Sequence, residues 1–188
     1  MKPAALIAAI SALLMLSAGC STMPPMPPLQ TVKSLDLQRY VGEWYVIANI
    51  PPWIERDAVN SVELYSIDED GNIPTVFTYR NKSFDAPVKS LKSKAFVVDR
   101  QSNAEWGVQF IWPIKAEYLV TWLAEDYSTA IIARNKRDYV WLLARTPQIP
   151  DEEYERLRRK IGEMGYDLDQ LRKVPQQTLE ERGGPGRS

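Results

Sequence analysis

The sequence predicts an all-β protein, an eight-stranded antiparallel up-and-down β-barrel with one C-terminal α-helix packed outside. Between Val41 and Arg145, apolar and polar residues alternate with period two, and turn-forming residues interrupt this pattern at short, regular intervals. No helical pattern alternates with the strands, which disfavours a parallel α/β sheet. Because the connections are short and consecutive, they favour a meander that closes into a barrel.

Eight segments are predicted as strands. The breaks between them contain Pro, Gly, Asn, Asp or Ser, the residues that tight turns favour. Since such breaks recur regularly, they set the strand limits. The predicted strands cover residues 43–50, 59–67, 73–80, 88–98, 105–112, 116–124, 128–134 and 139–145.

One helix is predicted after the last strand. The acids at 151–153 suit a helix N-terminus, where the helix dipole favours negative charge. Apolar residues then recur at helical spacing, and Gly165 ends the run. We expect this apolar stripe to pack on the outside of the sheet. It consists of Tyr154, Leu157, Ile161 and Met164.

The composition excludes several classes of function. The chain of 188 residues has no histidine, one cysteine, and 23 Lys+Arg against 24 Asp+Glu. Without histidine there is no Ser-His-Asp triad, Cys-His pair or His-ligated metal or haem, and one cysteine makes no internal disulfide or Cys-rich zinc site. The near-neutral charge disfavours nucleic acid, whose phosphates need a clustered basic surface. Six Trp, nine Tyr and four Phe favour a binding protein without metal or cofactor.

The first 19 residues have the features of a cleaved membrane-targeting signal. Lys2 supplies positive charge, and residues 4–16 form an apolar run too short to span a bilayer. The run ends in Leu16-Ser17-Ala18-Gly19-Cys20, which resembles the lipobox of bacterial lipoproteins, although Ser17 stands where Leu is commonest. The resemblance implies cleavage at residue 19 and lipidation of Cys20, and Ser21 implies the outer membrane. A conventional signal, or an uncleaved anchor, with an incidental cysteine is the alternative.

The remaining chain divides into three parts. Residues 20–34 carry the acylated cysteine and four prolines, which predicts an extended tether that lifts the domain off the bilayer. Residues 35–175 form the barrel domain. Residues 176–188 are predicted to be a disordered tail, because they contain Gly, Pro and charge without apolar periodicity.

Three motifs follow one another along the barrel domain. Leu37-x-x-Tyr40-x-Gly42-x-Trp44-Tyr45 opens the first strand, Glu125-Asp126-Tyr127 joins two later strands, and the segment from Tyr139 to Pro147 ends the last strand with Arg145. In these motifs the chain resembles the bacterial lipocalins of the outer-membrane lipoprotein kind, over residues 35–174. Glu125 departs from the family's Thr-Asp-Tyr pattern. The resemblance implies a lipocalin calyx, a barrel closed at one end.

The resemblance assigns structural roles to five of these residues. Gly42 permits a close backbone approach, and Trp44 plugs the closed end. Arg145 is expected to lay its guanidinium over the indole of Trp44 and to bond to nearby carbonyls. Asp126 and Tyr127 complete this structural set, so none of the five is a predicted ligand contact.

Alternation along four strands predicts which side chains line the calyx, if the family register holds. The predicted inward sets are Ser61, Glu63 and Tyr65, then Thr75, Phe77 and Tyr79, then Val108, Phe110 and Trp112, and finally Tyr139, Trp141 and Leu143. The predicted ligand-binding residues among them are Glu63, Tyr65, Phe77, Tyr79, Phe110, Trp112, Tyr139 and Trp141. Plain packing in a filled barrel is the alternative for each aromatic.

Glu63 stands out in this apolar set. A carboxylate in an apolar barrel is costly unless it is paired or protonated. It is a candidate partner for a choline or amine headgroup, or for an internal cation. Lys92 and Lys94 share one strand face and are candidates for that cation, although an outward, solvated position is favoured for both.

The segment Pro51-Pro52-Trp53-Ile54 follows the first strand at the expected open end. An exposed Trp-Ile pair on a loop suits a lid, a dimer contact or a membrane-facing tip. We favour the arrangement in which Trp53 folds over the barrel mouth.

The resemblance implies non-catalytic binding, storage or transport of a fatty acid or lysophospholipid. The protein would be lipid-anchored at the periplasmic face of the outer membrane, in envelope maintenance or stress, with a homodimer as a candidate state. One alternative is an enzyme acting on a bound lipid, with Glu63 and Tyr65 or Tyr79 as acid and base. Another is a structural or assembly lipoprotein with a filled barrel, which an internal cavity would argue against.

Overall fold

A computed structural model of the protein describes residues 26–182. Eight antiparallel strands form one closed up-and-down barrel, as predicted, because the second strand pairs with both the first and the third. The signal segment, the lipobox and Cys20 lie outside the described residues. The strands are β1 Gly42–Ile50, β2 Ala58–Tyr65, β3 Ile73–Asn81, β4 Lys89–Val97, β5 Glu105–Ile111, β6 Ile114–Leu123, β7 Thr129–Ala133 and β8 Val140–Ala144.

The remaining elements are short, apart from one helix. Helix α1 spans Leu37–Tyr40, a 3-10 turn spans Trp53–Glu55, helix α2 spans Asp151–Glu163, and a ninth strand, β9, spans Arg172–Lys173. All eight predicted barrel strands are present, with ends shifted by up to two residues. The largest shifts are the early end of β2 and the early start of β6.

The up-and-down order gives the barrel two distinct ends. The links 51–57, 82–88, 112–113 and 134–139 meet at one end, and the links 66–72, 98–104 and 124–128 meet at the other. Helix α1 precedes β1 at the second end. We call the first the open end and the second the closed end, because the side chains of the second fill the barrel.

Two apolar layers lie on either side of the sheet. The inner layer fills the lower part of the barrel around Trp44, Trp106 and Leu143. In the outer layer, the predicted stripe of α2 packs against outward residues such as Ile131 and Leu142. Gly165, with φ of +91°, follows the helix as predicted.

Residues 172–182 pack against the barrel, a contact that the sequence does not predict. Strand β9 pairs with Ala48 and Asn49 of β1. The Gln176 side chain donates to the carbonyls of Val46 (2.8 Å) and Ser61 (3.0 Å). The segment from 176 to 182, for which the sequence predicts disorder, is therefore held by hydrogen bonds. Since these bonds involve polar side chains, hydrophobic periodicity gave no signal for them.

Arg182 and Gln177 continue this contact at a bulge in β2. Asn60, with φ of +51°, lies where the register between β2 and β3 shifts. Its side-chain oxygen accepts from the Gln177 amide at 2.7 Å and from Arg182 at 2.9 Å. The bulge thus supplies polar groups that bind the C-terminal segment.

Residues 26–34 also lie against the barrel rather than forming a free tether. The Arg137 guanidinium donates to the Pro27 carbonyl at 2.7 Å, and the Leu29 amide donates to Asn135 at 2.7 Å, both at the open end. The Val32 amide donates to the Val120 carbonyl at 2.9 Å, further toward the closed end. The tether prediction is wrong for this stretch, because Leu29 and Val32 pack on the barrel. Within residues 26–182, no helix combines the length and apolar character needed to cross a membrane.

Candidate ligand-binding site

Trp44 forms the centre of the closed end. Its side chain is fully buried, and its indole nitrogen donates to the Tyr40 carbonyl at 2.7 Å. The Tyr40 ring lies 5.0 Å from the Trp44 ring and 5.5 Å from the Trp106 ring. This aromatic cluster forms a solid floor, so a ligand can enter only from the opposite end.

Arg145 covers this floor from outside. Its guanidinium carbon lies 3.8 Å from the Trp44 ring centroid, which confirms the predicted cation–π contact. The same group donates to four carbonyls around α1, at 2.7 to 3.1 Å. Gly42, with φ of +99°, leaves room for it, since a β-carbon there would lie 3.4 Å from an Arg145 nitrogen. A side chain at residue 42 is therefore disfavoured by both backbone conformation and space.

The Glu125-Asp126-Tyr127 motif supports the same end of the barrel. The Arg39 guanidinium lies 3.9 Å from the Tyr127 ring centroid. The Tyr127 hydroxyl accepts from the Asp36 amide at 3.0 Å. Asp126 accepts from the backbone and side chain of Ser128, and these bonds hold the pKa of Asp126 below its usual range. The motif therefore ties the β6–β7 link to α1.

Above the floor lies a cavity of about 520 Å³, which opens between the links of the open end. This volume is in the range of small-molecule sites. Six of the eight predicted ligand-binding residues line it, and so do Thr75, Val108 and Leu143. The six are Glu63, Tyr65, Phe77, Phe110, Tyr139 and Trp141.

Three predicted inward residues do not line the cavity. Tyr79 is buried, but its ring is stacked on Phe77 at 5.1 Å and packs within the inner layer. Trp112 is 82% exposed, because it lies beyond the end of β5, where strand alternation no longer applies. Ser61 is buried away from the cavity next to the bulge at Asn60. Tyr79 and Trp112 are predicted as ligand contacts, but the structure places neither of them in the cavity wall.

Tyrosine hydroxyls form a polar network at the base of the cavity. The Tyr118 hydroxyl donates to that of Tyr65 at 2.9 Å and lies 3.0 Å from that of Tyr40. Burial raises the pKa of all three, so each is neutral at physiological pH. Tyr118 and Tyr65 line the cavity, and the network offers a ligand neutral hydrogen-bonding groups.

Glu63 lies beside the floor, opposite Trp44 on β1 and Phe77 on β3. Its side chain is half-buried and lines the cavity. Among residues 26–182, its carboxyl has no hydrogen-bond or ion-pair partner. Burial, and secondarily the nearby Glu55, raises its pKa to about 8. At neutral pH this carboxyl is therefore mostly protonated.

Lys92 and Lys94 are not partners of Glu63. Both alternate with the inward residues Leu91 and Ser93 on β4, and both are exposed. Lys94 forms a surface ion pair with Asp68 at 2.8 Å. The favoured outward position is thus confirmed for Lys94, whereas Lys92 is exposed but also borders the cavity.

Glu55 is a polar cavity residue that the sequence did not indicate. It is 8% exposed and belongs to the 3-10 turn that folds into the mouth from the β1–β2 link. It accepts from the Trp141 indole at 2.9 Å and from the Asn49 amide at 3.2 Å. Burial raises its pKa to about 7, although these two hydrogen bonds and the positive charge of Arg172 act to lower it. Strand periodicity carries no signal for a residue in a loop, whereas alternation on β6 would have found Tyr118.

Trp53 lies at the mouth but does not fold over it. Together with Ile54 it borders the cavity, yet Trp53 is 78% exposed. The favoured arrangement is therefore wrong. The 3-10 turn directs Glu55 inward, and the Trp53 ring remains at the surface.

These features define a barrel with a closed aromatic floor, an apolar wall and an open mouth, suited to a lipophilic guest. The part of the chain from 26 to 182 holds no group of three or more Cys, Asp or Glu placed to hold a metal ion. The chain matches the lipocalin-like domain family over residues 35–176. It therefore belongs to the lipocalins, a family whose members bind small hydrophobic molecules.

Individual relatives agree with this assignment. The chain is 32% identical to temperature-induced lipocalin-1 of Arabidopsis thaliana, over 79% of this chain and 83% of the relative. It is 30% identical to the outer membrane lipoprotein Blc of Citrobacter freundii, over 88% of this chain and 92% of the relative. The crystal structure of insecticyanin from the tobacco hornworm Manduca sexta has the same fold, with a TM-score of 0.64 at 12% identity, over 80% and 86% of the two chains.

Proposed function

We propose that the protein binds a single-chain lipid, a fatty acid or a lysophospholipid, in the barrel cavity, and stores or transports it at the bacterial outer membrane. The observation that carries this proposal is the cavity of about 520 Å³, closed at its floor and lined mainly by apolar and aromatic side chains. Burial of an acyl chain there would contribute about 0.8 kcal/mol per methylene. The same cavity argues against a structural lipoprotein with a filled barrel.

The membrane location rests on the N-terminal sequence. Cys20 follows three small residues at the end of an apolar run, and we propose that it is acylated. Several acyl chains on one residue would hold the protein stably on a bilayer. A relative of 30% identity carries the name outer membrane lipoprotein, which supports this location, and Ser21 supports the outer membrane. A role in envelope maintenance or stress follows if the guest comes from damaged membrane.

A displacement experiment tests the binding. A fluorescent fatty acid is titrated into the protein and then displaced by palmitate or by lysophosphatidylethanolamine. Val108 lines the cavity, and the next residue, Gln109, lies on the other face of β5. We expect Val108→Trp to weaken binding at least tenfold by filling the cavity, and Gln109→Trp to leave it within twofold. Absence of binding to the unmodified protein, or equal effects of the two substitutions, would contradict the proposal.

A further inference from the structure

Exposed apolar side chains concentrate at one end of the barrel. Among residues 26–182, 12 large apolar side chains are exposed, and eight of them lie in or beside the links of the open end. We call these eight the apolar rim. They are Trp53, Ile54, Phe84, Val88, Phe110, Ile111, Trp112 and Ile114. Such concentrations of exposed apolar surface mark interaction sites with proteins or membranes.

The charges around the apolar rim are mainly positive. In and directly beside the links of the open end, the exposed acids are Asp57 and Asp85. The exposed cations outnumber them and suit the phosphate groups of a lipid surface. Tryptophan, which supplies two rim residues, is enriched where apolar and aqueous layers meet. The exposed cations are Arg56, Lys82, Lys89, Lys115 and Lys136.

The path of the N-terminal segment places the membrane anchor at the same end. Pro27 and Leu29 are hydrogen-bonded to the β7–β8 link of the open end. Cys20 precedes Met26 by six residues, a length of chain that reaches at most about 20 Å. This step rests on the proposed acylation of Cys20. An acylated Cys20 would then hold the open end, rather than the closed end, close to the bilayer.

A second copy of the chain is a less suitable occupant. In a symmetric dimer the same surface patch meets itself. The basic residues around the rim would then face the same basic residues, which disfavours association. A phospholipid surface meets both the apolar and the basic parts of this end.

We propose that the apolar rim docks on the phospholipid bilayer, with Trp53 and Trp112 in the interfacial layer and the cavity mouth facing the lipid. Four rim residues also line the cavity, so the apolar surface continues from the bilayer into the site. A single-chain lipid can then enter without crossing water. The four are Trp53, Ile54, Phe110 and Ile111.

Quenching by brominated lipid tests this docking. The acylated protein is reconstituted into vesicles of phosphatidylethanolamine and phosphatidylglycerol, with or without bromine on the acyl chains. We expect brominated lipid to quench part of the tryptophan emission. The double variant Trp53→Phe/Trp112→Phe should lose at least two thirds of that quenching. The matched control Trp122→Phe should retain it, because Trp122 lies on the outer wall beside Arg156 and Lys160 of α2.

Several outcomes would overturn the docking. One is that brominated lipid does not quench the unmodified protein, and another is that it quenches the double variant equally. The third is that sedimentation shows a dimer, which the substitution Ile111→Asp dissociates. The test is separable from that of the proposed function. If the unmodified protein shows no quenching but still binds the fluorescent fatty acid, the docking is contradicted and the proposed function is not. The opposite result is quenching that depends on Trp53 and Trp112 in a protein that does not bind fatty acid. It supports docking and contradicts the proposed ligand.

Discussion

The closed and open ends of the barrel both carry tryptophan, but in contrasting environments. Trp44 at the closed end is fully buried, hydrogen-bonded to Tyr40 and covered by Arg145. Trp53 and Trp112 at the open end are 78% and 82% exposed. The comparison shows that the family motifs mark the stabilising end. The apolar rim of the open end lies outside those motifs, although the third motif also supplies the cavity residues Tyr139 and Trp141.

The largest expected effect separates the two ends by stability. Trp44→Ala should lower the free energy of unfolding by about 3–5 kcal/mol, because it removes a large buried side chain. Trp112→Ala should change it by less than about 0.5 kcal/mol, since it removes an exposed one. Urea unfolding followed by circular dichroism measures both. Equal effects would remove the distinction between the ends.

A second prediction concerns the carboxyls of the cavity. The pKa of Glu63 is raised from 4.5 to about 8 on folding, and that of Glu55 from 4.5 to about 7. Each folded carboxyl therefore binds a proton that the unfolded chain releases. Their contribution to stability is complete below about pH 4.5 and is lost as the pH rises toward these values.

Glu63→Gln removes the larger of these two contributions. Relative to this variant, the unmodified protein should lose stability on the order of 3 kcal/mol between pH 5 and pH 9. Urea unfolding at several pH values measures the difference. Glu69→Gln, at an exposed position in the β2–β3 link, is the control and should show no such trend. A stability difference between Glu63→Gln and the unmodified protein that is independent of pH would refute the assignment.

A smaller effect is expected from the cover of the floor. Arg145→Ala removes four hydrogen bonds from a charged donor and the contact with Trp44. We expect a loss of about 1.5–3 kcal/mol, because hydrogen bonds to charged groups contribute in that range. Arg56→Ala, an exposed arginine of the open end, should cost less than about 0.5 kcal/mol. Thermal unfolding of both variants measures these effects. Equal decreases in melting temperature would contradict the stabilising role of Arg145.

The same contrast explains what the sequence could and could not predict. Regular strands keep strict alternation, so the inward positions of Trp141 and Leu143 on β8 are predicted correctly. Trp112 follows the end of β5, and alternation therefore placed it wrongly. Glu55 enters the cavity from a 3-10 turn, whose direction depends on tertiary bonds to Asn49 and Trp141.

The chain termini show a further limit of sequence patterns. Residues 26–34 and 176–182 looked like a tether and a disordered tail because they are rich in proline or polar residues. Both are instead held by hydrogen bonds to positions far away in the chain, such as Asn135 and Asn60. Composition describes local preference and contains no information on such distant partners.

Native mass spectrometry shows most directly whether the barrel carries a lipid. The protein is extracted without detergent from cells that express it, beside the cavity-filling variant Val108→Trp. We expect a bound species whose mass is that of a fatty acid or lysophospholipid, present on the unmodified protein and depleted on the variant. An unmodified protein that carries no lipid, or equal lipid on both proteins, would contradict this expectation.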